Sequence, residues 1–476
     1  MFFSFSIHQR NFPKLGRGFI PSSMALVLLS LIINSNAASA NEVLTFDRAV
    51  KQAQQNDPWL TGNKHKENSL LALSRAANTL PDPKMSLSIA NLPTDGFDFS
   101  QEGMTQFKVG ITQMFPRGNT LEIKDHQLKL QSQAYPFQRQ DRQAKVAVTV
   151  GSLWLDAYRV QQSIALIESN RSLFEQLVDV AQASYSSALG KTRQQDIVRA
   201  QLELTRLDDQ LDKLAQQKNR FEGQLFQWLN NYLIEQNNVE NQIIALHDIN
   251  LGEKLVAIDL MQANLVYGKQ WQKPEQLVRY FAQHPAVRAM DKRIQATQSG
   301  VNLAEQKYKP KWGVNASYGY RDDDPLGNSR ADFMSIGVTF DLPLFTENRQ
   351  DQQVKSAISQ TEAVKTDKIL LLRQLLGAYS SSKGRLLRLN DRESLYRSKL
   401  LPQTHDQAEA SLTAYTNDDG DFSEVVRARI AVLNAEIDQL TIEVEQQKII
   451  LELNYLFVGS LANTFSQVNT NKGAVK

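Results

Sequence analysis

The chain of 476 residues contains no cysteine, so it can form no disulfide, no thiolate metal site and no lipidated N-terminal cysteine. Charge of one sign is also lacking: 53 Lys and Arg stand against 51 Asp and Glu, a net +2. That balance gives no global attraction to nucleic acid or anionic lipid, and no nucleic-acid partner is expected. Long apolar runs are missing too. The longest, Met24 to Ile33, falls well short of the roughly 20 residues that cross a bilayer as a helix. Arg10, Lys14 and Arg17 precede it and Asn34-Ser-Asn-Ala-Ala-Ser-Ala40 follows it, so residues 1–40 read as a cleaved secretory signal. The vocabulary of catalysis is thin. His8, His65, His126, His247, His284 and His405 show no paired metal-ligand spacing, no Gly-rich phosphate loop follows a strand, and no acid pair is isolated among apolar residues. Each His reads as a solvated surface residue, and no enzyme activity, resident metal or cofactor is expected.

What is present is a repeat. Pro58 and Pro285, Pro83 and Pro310, Gly110 and Gly337, and Pro116 and Pro343 are each 227 positions apart, and Arg199-Ala200 recurs as Arg427-Ala428 at 228. Proline and glycine are the residues that most constrain or free the backbone, so four coincidences of this kind mark a tandem duplication. Repeat 1 covers about 41–234 and repeat 2 about 275–460. Between them, about 235–274 has no clear period and reads as a compact insert flanking the helices. Residues 461–476 read as a disordered tail.

Within each repeat the hydrophobic period changes twice. Leu44 to Leu80 has helical composition and ends at Pro81 and Pro83. Met85, Leu87 and Ile89 then alternate with Ser86, Ser88 and Ala90, and Phe107, Val109 and Ile111 alternate with Lys108, Gly110 and Thr112. These two strands make a β-hairpin over about 84–113. Repeat 2 sets Trp312, Val314, Ala316, Tyr318 and Tyr320 against Gly313, Asn315, Ser317 and Gly319, then Met334, Ile336, Val338 and Phe340 against Ser335, Gly337 and Thr339. This is a second hairpin, about 311–341. Four strands of about nine residues, apolar on one face and Gly, Ser, Asn or Thr on the other, have the length and pattern of tilted transmembrane strands. The predicted lipid-facing residues are Leu87, Ile89, Val109, Ile111, Val314, Ile336 and Val338.

Beyond Pro116 the period becomes three and a half. Val146, Val150, Leu153, Ala157, Val160, Ile164, Ile167, Arg171, Phe174, Val178, Ala181 and Tyr185 step by fours and threes with one polar exception. After a break near 188–192, Ile197, Ala200, Leu204, Leu207, Leu211, Leu214, Lys218, Phe221, Leu225 and Trp228 return with the same rhythm. The spacing predicts an antiparallel coiled-coil hairpin, roughly 105 Å long if 117–188 were one helix. Repeat 2 repeats it through Val426, Ile430, Leu433, Ile437, Leu440, Val444 and Leu451, with its break at about 415–421. Pro136 and Pro402 fall within these segments, where proline kinks or interrupts a helix.

An open sheet cannot stand in lipid, where every unpaired backbone group costs several kcal/mol, so four strands per chain demand an oligomer. Two copies would supply eight strands, which side chains fill; three supply twelve, which leave a lumen. The predicted fold is therefore mainly α with a transmembrane β portion. A duplicated unit of β-hairpin and long helical hairpin assembles so that the Gly and Ser faces line a wide, wet interior, and the helical hairpins of all copies form a tube coaxial with the barrel.

At this point the sequence resembles the TolC-like outer-membrane efflux proteins. The resemblance rests on Leu44-Thr-Phe-Asp-Arg-Ala-Val50 with Asn56-Asp-Pro58, Pro81-Asp-Pro-Lys84, Val109-Gly-Ile-Thr-Gln-Met-Phe-Pro116, Tyr185 to Ala200, Ile336-Gly-Val-Thr-Phe-Asp-Leu-Pro-Leu-Phe345 and Gly420 to Ala428. Pro81-Asp-Pro-Lys-Met85 with Asn91-Leu-Pro93 looks most like the members serving metal-cation pumps. The resemblance implies a homotrimer in outer-membrane lipid, its trimeric twelve-stranded β-barrel continuous with an α-helical barrel that forms a long periplasmic extension, docked to a periplasmic adaptor and an inner-membrane pump. It would conduct passively, with metal ions, drugs or secreted polypeptides as cargo. A type I secretion channel and a structural coiled-coil protein of the envelope are the alternatives; the latter accounts for the heptads but not for the strands. The resemblance also implies adaptor contact at the tips, Leu189-Gly190-Lys191 and Asp418-Asp419-Gly420, and an acidic ring just inside. The matching position carries Glu424, but Arg427 departs from the acidic pattern, and Asp196 with Arg199 repeats it in the first copy. These four residues are the candidates for a periplasmic aperture, either as ion pairs within one helix or as links between hairpins.

Overall fold

The computed structural model describes residues 43–186, 193–230, 249–268, 272–417 and 419–460. The signal region, the first tip with Leu189, Gly190 and Lys191, Asp418, and the tail lie outside the described residues.

Residues 44–80, expected as one helix, form two: α1 (Phe46–Gln55) and α2 (Pro58–Ala77). The break lies where Pro58 withholds an N–H, and Asp57 caps the new helix by accepting from the Trp59 N–H at 3.0 Å. Next come β1 (Lys84–Ala90) and β2 (Gln106–Phe115), then α3 (Thr120–Ser132), α4 (Ala134–Ser186) and α5 (Gln194–Leu229). A short α6 (Ala263–Tyr267) precedes the second repeat. That repeat holds α7 (Pro274–Phe281), α8 (Pro285–Glu305), β3 (Trp312–Tyr320), β4 (Phe333–Phe340), α9 (Gln350–Leu395), α10 (Leu401–Thr416) and α11 (Phe422–Leu456). The repeated landmarks do the same work in both copies. Pro58 and Pro285 open helices, Pro83 and Pro310 precede strands, and Pro116 and Pro343 follow strands.

The two interior prolines have different consequences. Over 117–188 the helix is interrupted at Gln133, as expected of Pro136, which cannot donate to the Ser132 carbonyl and whose ring crowds that oxygen. Pro402 is instead absorbed. Residues Tyr396–Leu400 form a π-helical turn in which Leu401 N–H reaches the Tyr396 carbonyl, and the wider turn carries the column from α9 into α10 without a break. At 53 residues α4 is still about 80 Å long.

The heptads place the core. Val146, Val160, Ile167, Phe174 and Ala181 of α4 face Ala200, Leu207, Leu214 and Phe221 of α5, all buried in one cluster with Val425, Val426, Leu433, Val444 and Leu451 of α11. The polar exception Arg171 ties the hairpin from outside, with Nη1 2.6 Å from Asp208 of α5; Lys218 meets Glu222 one turn on. Trp154 plugs the end near α1, donating to the Leu44 carbonyl at 2.8 Å and stacking on Tyr158. A second cluster joins Phe281 of α7, Val287 of α8, Tyr379 and Leu386 of α9, and Leu453, Leu456 and Phe457 at the end of α11. α11 thus serves both repeats.

The described part of the inter-repeat segment is a strap across α4 and α11. Its backbone is held by side chains: Tyr158 donates to the Glu253 carbonyl at 3.0 Å, Gln447 accepts from Ile258 N–H, and Asn454 bonds both Met261 N–H and the Asp259 carbonyl. Tyr379 and the buried Lys383 of α9 both donate to the Leu265 carbonyl, at 2.8 and 3.0 Å.

Candidate functional site: the apolar sheet and the hairpin tips

The four strands form one antiparallel sheet in the order β1-β2-β3-β4, so the hairpins of the two repeats join edge to edge through β2 and β3. The register turns the one-dimensional alternation into rows across the whole sheet. One row runs Met85, Ile111, Ala316, Ile336; the adjacent row, on the opposite face, runs Ser86, Gly110, Ser317, Ser335. Side chains alternate faces along each strand, so every row of one kind shares a face. Met85, Leu87, Ile89, Ile111, Val314, Ile336 and Val338 are all exposed on the apolar face, with Met334 at 73% and Ile336 at 71%, and Val109 is half-buried on the same face. Scattered exposed apolar residues are ordinary, but a contiguous patch of them spanning four strands marks an interaction surface.

Aromatic rows bound that face. Phe115, Trp312 and Phe340 lie at one end, and Phe107 with Tyr320 at the other. Eight residues separate Phe107 from Phe115, roughly 26 Å along the strand, or about 20 Å along the normal at a tilt near 40°. This is close to the height of the apolar band between aromatic girdles of a membrane barrel. Gln113 alone interrupts the face, and its amide donates to the Pro81 carbonyl at 2.9 Å.

The other face is built for close approach. A Cβ added at Gly110 would lie 2.7 Å from Ser86 Oγ, and one at Gly313 2.6 Å from Met114 Sδ, so these glycines leave room for cross-strand neighbours. Lys108 sits in a row with Ser88 and Gly319 on this polar face. The outer edges of β1 and β4 have no strand partner among the described residues.

The far ends of the helical hairpins form the second region. A cleft of about 550 Å³ lies between Val180, Ser184, Arg193 and Asp196 of the first hairpin and Tyr415, Asp419, Gly420, Asp421 and Phe422 of the second. Of the tip candidates, Asp419 and Gly420 line this cleft. Asp196 and Arg199 do not form the intrahelical ion pair that was one expectation. Asp196 is buried, and its Oδ2 accepts from the Arg193 N–H at 2.9 Å, half of a capping box at the start of α5. Glu424 and Arg427, both exposed, are not paired with each other either: Arg427 donates to the Ser423 carbonyl at 3.2 Å and to Ser423 Oγ at 3.1 Å. The residue that gathers this charge is Asp421, which sequence reasoning missed. It caps α11 by accepting from Ser423 N–H at 2.9 Å, and that bond, with the nearby Arg199 and Arg427, holds its carboxyl below the usual range. The signal was there: an Asp immediately before an apolar-periodic run is a helix start. Among the described residues no cluster of three His, Asp or Glu is disposed to hold a metal ion, and no helix is long and apolar enough to cross a membrane.

No protein-family model matches the chain, and no curated protein matches it in sequence. Solved structures do match. The transmembrane channel CusC aligns over 90% of this chain and 95% of its own, at 13% identity and a TM-score of 0.66. The outer membrane protein VceC from Vibrio cholerae aligns over 87% and 95%, at 14% identity and 0.66. The CmeC outer membrane channel of Campylobacter jejuni aligns over 87% and 85%, at 13% identity and 0.66. The resemblance to TolC-like proteins therefore holds at the level of the fold: this chain has the fold of outer-membrane channels, nearly end to end.

Proposed function

We propose that the protein is the outer-membrane exit duct of a TolC-like efflux system. Three copies pair the free edge of β4 in one with that of β1 in the next, closing a twelve-stranded barrel in which no backbone edge meets lipid. Leu87, Ile89, Val109, Ile111, Val314, Ile336 and Val338 face the lipid, and the Gly, Ser, Asn and Lys108 face lines a wet lumen. The helical columns continue the lumen into the periplasm, where the two tips, including Leu189 to Lys191 and Asp418 to Gly420, meet a periplasmic adaptor and, through it, an inner-membrane pump. The duct is passive, and metal cations are the proposed cargo, on the resemblance of Pro81 to Met85 and Asn91 to Pro93 to metal-efflux members. The aperture lies just inside the tips, with Asp196, Arg199, Glu424 and Arg427 joined by Asp421.

The observation that carries this reading is the sheet: one face apolar and largely exposed across all four strands, bounded by aromatic rows, with both edges unpaired among the described residues. A soluble envelope protein has no use for that surface. Purified protein in a planar bilayer should give stepwise ion conductance and run as a heat-sensitive trimer. A folded monomer without conductance would overturn the reading. Deletion of the gene should raise sensitivity to a transition-metal cation; raised sensitivity only to drugs, or loss of a secreted polypeptide, would reassign the cargo and leave the duct standing.

A further inference from the structure

The duplication sets two helix caps side by side for comparison. Asp57 precedes Pro58 and His284 precedes Pro285, again 227 positions apart, and both are buried, at 6% and 0% exposure. Both accept from the backbone N–H two residues on: Asp57 Oδ1 from Trp59 at 3.0 Å, His284 Nδ1 from Ala286 at 3.2 Å. Around Asp57 the rest of the joint is ionic, with Arg142 Nε 2.7 Å from its carboxylate. His284 has a different second partner: its Nε2 lies 3.1 Å from the Tyr455 carbonyl at the end of α11.

These two bonds determine the imidazole's protonation state. A carbonyl only accepts, so Nε2 carries the hydrogen; an amide N–H only donates, so Nδ1 is bare. The ring is neutral, and a second proton has one place to go, Nδ1. There it would point at the Ala286 N–H, donor against donor, and the cap would be lost. A carboxylate cap has no such conflict until it is itself protonated, near pH 4 for an ordinary Asp against about 6.5 for an ordinary His.

We propose that His284 is an acid-sensitive helix cap: proton uptake at Nδ1 releases the start of α8 in the second repeat, whereas the matching joint of the first repeat, capped by Asp57, stays closed. The groups around the ring are few. From α4, Asp141 favours the proton and its ion-pair partner Lys145 opposes it. From α11, Tyr455 lies edge-on to the ring at 4.9 Å and donates its hydroxyl to Asp141 Oδ1 at 2.8 Å. α8 contributes Arg288, stacked over Phe137. α7 contributes Arg279 and Tyr280, the latter edge-on to Phe457. The turn Val458–Ser460, whose Gly459 abuts the His284 backbone, has no titratable side chain. Burial is the largest influence and holds the imidazole of the closed joint below its ordinary range, so opening is favoured progressively as pH falls below about 6.5, where a released ring takes up the proton.

The test uses the full-length protein and its own internal control. Amide hydrogen exchange at Ala286 and at Trp59, each normalised to the chemical rate at that pH, is compared at pH 7.5 and pH 5. Loss of one cap is about five-fold in a local opening equilibrium, equivalent to roughly 1 kcal/mol, so protection at Ala286 relative to Trp59 should fall about five-fold on acidification. An unchanged ratio overturns the proposal. His284→Asp, which installs the first repeat's cap, should abolish the change; a variant that folds and keeps it would also overturn the proposal. If the variant does not fold, the wild-type ratio still decides.

Discussion

Substitution of neighbouring residues on opposite faces of β4 separates the membrane reading from every soluble one. Ile336 is fourth in a strand of 8 residues, and Ser335 is next to it on the other face. The row through Ile336 lies midway between the aromatic rows, roughly 13 Å along the strand from each end of the band, near the bilayer midplane in the proposed barrel. Arginine on the lipid face at that depth costs about 2–4 kcal/mol. The proposed barrel would repeat the lesion in each of three copies, so trimer assembly would bear on the order of 6–12 kcal/mol, comparable to the whole stability of a typical domain. Ser335→Arg puts the same charge into a row of Ser and Gly that would face lumen water, and should leave assembly within about 1 kcal/mol of wild type. It should instead shift the conductance toward anions, because three cations then ring the lumen. The assay is urea titration of protein folded into lipid vesicles, with single-channel recording of whichever variant assembles. Equal tolerance of arginine at both positions would refute the barrel.

Three further outcomes are expected. Gly420→Val should weaken cross-linking of the tip to the adaptor while trimer yield stays unchanged, because a Cβ there lies 2.6 Å from the Tyr415 backbone nitrogen and reshapes the turn; wild-type cross-linking would place the contact elsewhere. Arg199→Ala combined with Arg427→Ala removes both cations that act on Asp421 and should raise basal conductance if these charges hold the aperture closed; unchanged single-channel conductance locates the constriction away from the tips. Phe281→Ala empties a site packed against Tyr379 and Phe457 and should cost about 3–5 kcal/mol, seen as a lower urea midpoint, with the α4–α5 hairpin keeping its helical signal longest.

Periodicity along the chain determined most of the architecture. Alternation by twos gave four strands with a lipid-type face, and steps of three and four gave hairpins whose Val160, Ile167, Ala200 and Leu207 are the buried residues. The 227-residue offset gave the duplication, because proline and glycine constrain the backbone wherever they stand. These are local properties, carried by residues within a few positions of one another. The tertiary structure decided what depends on distant neighbours. Pro136 and Pro402 are the same residue in similar helical surroundings, yet one breaks the helix and the other is taken up by a π turn. Asp196 and Arg199 have the spacing of an ion pair, but capping engages the carboxylate first, since the N–H groups at a helix start have no other partner. His284 looked like a solvated surface residue, but it is fully buried because the end of α11, more than 170 positions away, supplies the carbonyl that its ring requires. Spacing shows which residues share a face; only the packed chain shows which partner on that face is taken.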